Sequence, residues 1–275
     1  MESRDDSVVI ARRELVLVVT LLVAMCRAAA HPEAFIVAGL LPVVTFLAAA
    51  SLLRAGTGSR PPYGALVIPS ILAGGAGSAI GLVPAGLGLV PALGAFALLL
   101  DGSLALELRL AGVPTTPSEG DRSRIVLAAV GAAFAAFTGV AAIVPGGWAD
   151  PGAAIASGTQ PAITEAWLLV LAIDDALIAF ILGYRVAALR YGKRSDALRS
   201  GVTYAIVIAV VAGTLGALEL PALVGPAVLA LVFYLWDAIH AAAPARRQEP
   251  RFLWETALLA ALAIFVVAWN LRIHV

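Results

Sequence analysis

Charge is what this sequence has least of. Asp, Glu, Lys and Arg make up 13% of its 275 residues, against roughly 25% in a soluble domain. Too few polar groups exist to coat a globule, so the solvent must be lipid. The single cysteine, Cys26, excludes an internal disulfide. Met25 is a poor residue to precede it in a lipobox. The only lysine, Lys193, lies in a polar connecting stretch, which excludes a retinal Schiff base inside a helical bundle. With three histidines and neither H-E-x-x-H nor C-x-x-C, no metal-site spacing occurs. No G-x-S-x-G elbow is present either, and Gly77-Ser78-Ala79-Ile80-Gly81 reads as helix packing. The paired N-D-x-x-D motifs that hold magnesium diphosphate in intramembrane prenyl transferases are missing. A net charge of zero argues against a nucleic-acid partner. No cofactor is expected.

What remains is apolar: 61% of the chain is hydrophobic. A membrane-crossing helix needs about 20 apolar residues. Nine runs fit, at about 15–30, 34–54, 64–83, 86–107, 124–145, 162–188, 201–219, 222–242 and 252–272. The expected fold is therefore an all-α, polytopic integral membrane bundle. A short polar tail, 1–14, precedes a single transmembrane domain, 15–275. The first run also has the marks of a cleaved signal peptide, with Arg12 and Arg13 before it and Ala28-Ala29-Ala30 after. Cleavage would leave eight spans.

The basic residues are distributed unevenly. Sixteen of the 18 fall in the tail and every second loop: Arg4, Arg12, Arg13; Arg54, Arg60; Arg109, Arg122, Arg124; Arg185, Arg190, Lys193, Arg194, Arg199; Arg246, Arg247, Arg251. Only Arg27 and Arg272 fall on the opposite side. Positive loops stay in the cytoplasm, so the N-terminus is expected there and the C-terminus outside the cell membrane. Trp148, Trp167 and Trp269 then lie near the outer face. Trp236, Trp254 and all five tyrosines, Tyr204 included, lie towards the inner one, as an aromatic belt.

Three outward hairpins, spans 3–4, 5–6 and 7–8, look like tandem two-helix repeats. The rising helix of each has small residues at four-residue spacing, which lets backbones approach closely in lipid. Gly77, Gly81, Gly131, Gly139 and Gly213 are the expected packing positions. The descending helices carry Asp101, Asp174 with Asp175, and Asp237.

Acids at that depth are costly and mark functional sites by default. Asp174 and Asp175 sit near the middle of 161–190. As neighbours on a helix they point about 100° apart and cannot share one partner. Arg185, eleven residues beyond Asp174, is about 16 Å away along the axis, too far for a direct bridge. Asp101, Asp237, His240 and Glu255 form a second group nearer the cytoplasm. Asp237 and His240, three apart, share a helix face. The blander assignment for this group is pairing with Arg109, Arg185 or Arg251. Glu165, Glu219 and Asn270 read as headgroup contacts.

Three functions fit these features. The first is a small permease or proton- or ion-coupled carrier, in which Asp174 and Asp175 bind the coupling ion and Asp101 and Asp237 line the inner exit. The second is a structural or assembly subunit of a membrane complex, as a homo- or hetero-oligomer. The third is a membrane enzyme acting on a lipid or isoprenoid, for which a cavity open sideways to lipid would speak. Beyond the bilayer, the expected partner is a small solute, proton or cation.

Overall fold

The computed structural model of the chain describes residues 2–28, 33–59, 61–83, 86, 88–112, 117–145, 163–191, 193–218, 220 and 223–273. Among them are ten α-helices and no strand. They are α1 (Glu2–Ala28), α2 (Glu33–Thr57), α3 (Val67–Ala79), α4 (Leu89–Gly112), α5 (Glu119–Ile143), α6 (Glu165–Ala188), α7 (Arg194–Ala217), α8 (Val224–Ala241), the single turn α9 (Pro244–Arg247) and α10 (Pro250–Ile273). Short 3₁₀ turns at Tyr63–Leu66 and Ile80–Leu82 extend α3 at both ends. Eight helical segments are long and apolar enough to cross a membrane.

The helix ends differ from expectation in an informative way. The polar tail is helical from Glu2 and runs without a break into the apolar part of α1. Arg109, Arg122 and Arg124 lie inside α4 and α5 rather than in the loop between them. Ser118 caps α5: its hydroxyl accepts the Asp121 amide at 3.2 Å and donates to the Asp121 carboxylate at 2.7 Å. Gly86, with φ +124°, takes the turn between α3 and α4 into backbone space that other residues avoid.

Packing does not follow the three hairpins. The most extensive pairings join α6 to α7 and α3 to α5, which belong to different hairpins. Small residues explain both. A Cβ on Gly75 would lie 2.5 Å from the Ala136 backbone nitrogen, and one on Gly139 would lie 2.8 Å from the Gly75 carbonyl oxygen. Those two backbones therefore touch, as small residues allow in lipid. On α6 and α7, Gly183 lies against the Tyr204 ring and Gly216 against Leu168. Pro42, inside α2, packs its ring against Gly74, and Gly77 lies against Leu41. Gly131 makes an ordinary contact with Leu99. At Gly81 and Gly213, by contrast, an added Cβ meets nothing within 4 Å. Spacing of small residues alone had placed those two at helix contacts, but their faces turn away from neighbouring helices.

Candidate functional site

α6 carries the polar groups that organise the bundle. Leu171, Asp175 and Ala179 form a buried stripe along it, with i, i+4 spacing keeping them on one face. Leu171 meets Gly216 and Gly183 meets Tyr204 of α7 towards either end of that stripe, with Asp175 between them on the buried face. Its side chain is 1% exposed, and Oδ1 has no hydrogen-bond partner. Asp174 is half-buried on the adjoining face.

The other acids at membrane depth have basic partners. Arg12 Nε of α1 approaches Asp101 Oδ1 of α4 to 2.8 Å, although the N–H does not point along the contact, so charge rather than a hydrogen bond holds it. Arg185 of α6 donates from Nε to Glu107 Oε1 of α4 at 3.2 Å and from Nη2 to Oε2, a two-pronged pair buried on both sides. Gly64 makes room for the Arg185 side chain. Just past the end of α6, Arg190 donates to Asp237 Oδ1 of α8 at 2.9 Å. The Tyr204 hydroxyl of α7 donates to the same oxygen at 2.5 Å. Burial opposes the Arg190 charge, but Asp237 and Tyr204 outweigh it and hold Arg190 above the usual arginine value.

Several placements differ from those read in the sequence. Asp237 is partnered by Arg190, and Asp101 by Arg12, rather than by Arg109 or Arg185. His240 makes no bond to Asp237; its Nδ1 meets the Trp236 carbonyl at 2.9 Å and its ring lies beside that indole. Glu255, by contrast, has one of the partners expected for this group, Arg251, on the exposed start of α10. Tyr204 is fully buried and part of the Asp237 network, not of an interfacial belt. Trp236 likewise turns its Nε1 to Thr203 Oγ1 at 3.1 Å. Trp167, Trp254 and Trp269 are exposed, as belt residues would be. His31, Trp148, Glu219 and His274 lie outside the described residues. Glu107 escaped the sequence reading because it sits six residues beyond Asp101 among helix-end charges. Only its burial distinguishes it. Among the described residues no group of three His, Cys, Asp or Glu side chains is placed to hold a metal ion.

A cleft of about 340 Å³ opens between α4 and α5. Arg109 and Arg124 stand at one end, and no carboxylate lines it.

Among the described residues, eight helical segments apolar over membrane-crossing lengths, with ion pairs tucked between them, define an α-helical multi-pass membrane protein. Compared with protein-family models, curated proteins and solved structures, the chain matches none.

Proposed function

We propose that this protein is a small permease or proton- or ion-coupled carrier of the cell membrane, and that Asp175 is its coupling group. The observation that carries this reading is a contrast. Asp101, Glu107 and Asp237 each have an arginine, whereas Asp175 is buried with Oδ1 unpartnered. Buried acids kept for stability are paired, so an unpaired one is retained for something other than stability. Asp174, half-buried beside it, provides a second site at which a proton or cation rests.

Nine crossings suit this reading, with the N-terminus and basic loops in the cytoplasm and the C-terminus outside. α1 supplies the ninth. Between Arg12 beside Asp101 and Arg27, whose Nε donates to the Val83 carbonyl at 3.1 Å, it runs about 22 Å beside its neighbours. Below Asp175, the Glu107–Arg185 pair and the Arg190–Asp237–Tyr204 cluster tie α4, α6, α7 and α8 together at their inner ends. They form the inner gate of a carrier closed on the cytoplasmic side.

The test compares wild type with Asp175→Asn, first by melting and then by proton flux into vesicles. Asparagine keeps the shape and cannot ionise. The variant should be at least as stable as wild type, show a flatter pH dependence of its melting, and pass no protons. A variant less stable at every pH makes Asp175 structural and ends the carrier reading.

One observation favours a second reading, a subunit of a larger complex. In the central part of α10 only 6% of residues are buried, against 28 to 56% in the other seven spans. Leu253, Trp254, Leu258 and Phe265 all face outward. A discrete oligomer in native mass spectrometry, broken by Leu258→Arg, would support it. A monomer in lipid nanodiscs would remove it.

A further inference from the structure

We infer that the cleft between α4 and α5 is a binding site for one anionic phospholipid, with its phosphate between Arg109 and Arg124 and an acyl chain along the leucines above. This stands apart from the carrier reading and uses none of its residues.

The shape is that of an amphiphile. Leu98 and Leu99 close the apolar end, Leu106 and Leu127 form the walls, and the two arginines stand at the other end. From Leu98 to Arg109 is eleven residues, about 16 Å along the helix. That is half of the ~30 Å hydrocarbon core, the depth of one leaflet. The arginines fall on the side expected to face the cytoplasm, where basic pockets between helices hold anionic headgroups.

The charge is also available. The Arg109 side chain is 59% exposed, and its one ion pair, to Asp121 Oδ1, is long at 3.6 Å. That carboxylate already accepts the Ser118 hydroxyl at 2.7 Å. Most of the Arg109 donors are therefore unused. Arg124 is exposed and has no ion pair or side-chain hydrogen bond among the described residues. Two guanidiniums against one carboxylate leave a net positive rim, and planar guanidiniums suit phosphate. Between them and the leucines, Gly102 leaves the floor of the cleft open: an added Cβ meets nothing within 4 Å.

The purified full-length protein, in uncharged detergent, is titrated with phosphatidylglycerol, phosphatidylcholine or inorganic phosphate while its melting temperature is followed. Phosphatidylglycerol should stabilise it saturably and phosphatidylcholine should not. Arg124→Gln and Arg109→Gln should each weaken the apparent affinity about five-fold. Gly102→Phe should abolish the response with both arginines in place, because the ring occupies the space of the chain, into which an added Cβ projects without meeting other atoms. Equal stabilisation by the two lipids overturns the proposal, as does an unchanged response in Gly102→Phe. Full stabilisation by inorganic phosphate alone also overturns it, in favour of a free anion. Should the arginine variants not fold, Gly102→Phe decides the matter alone.

Discussion

Removing one half of the Glu107–Arg185 pair leaves the other charge buried without a counterion. The expected cost is about 3–5 kcal/mol for Glu107→Gln or Arg185→Gln, read as a loss of folded protein in denaturant titration. The double variant Glu107→Leu/Arg185→Met should lose much less than the two singles added, because it strands no charge. Additive losses would show that the two side chains do not act as a pair. Tyr204→Phe is milder. It deletes one donor to Asp237 while Arg190 remains, so about 1–3 kcal/mol is expected. The sequence reading found two of the acids in this class, Asp101 and Asp237, but not their partners. Asp237 stood out because it interrupts an apolar run, whereas Glu107 and Arg185, 78 residues apart, look like ordinary helix-end charges. Nothing along the chain shows that their side chains turn inward.

At the scale of a helix, what matters is which face a glycine presents. Gly75 lies against the backbone of α5, which cannot move aside as a flexible side chain can. Gly75→Ala should destabilise the protein by about 1–3 kcal/mol or more through overpacking. Gly213→Ala meets open space and should be neutral or gain up to about 1 kcal/mol from helix propensity. Melting of the two variants side by side checks both; equal effects would remove the contrast between the two faces. Spacing of small residues marked α3, α5 and α7 as closely packing helices. It could not say which of two glycines on one helix meets a neighbour, because the periodicity of a helix fixes relative angles and leaves its rotation in the bundle open.

For the whole molecule, the proposed orientation can be checked with a Cys26→Ser background. A cysteine at exposed Ser195 should label only after the inner face is opened. One at exposed Leu223 should label from outside. Reversed labelling would move every acid and the Arg109–Arg124 cleft to the opposite leaflet. Arg12→Gln should loosen α1, since its pairing with Asp101 joins α1 to α4 halfway down that helix.

The sequence by itself determined that the chain lives in lipid, that it is all helix, and roughly where eight of its crossings lie. These follow from composition and run length, which add up locally along the chain. Only the tertiary structure decided the rest: that Arg12 answers Asp101, Arg185 answers Glu107, and Arg190 with Tyr204 answers Asp237, while Asp175 is left unanswered. Lipid is as apolar on one side of a helix as on another, so hydropathy cannot orient it. Close contacts between small residues and the need of each buried charge for a partner do.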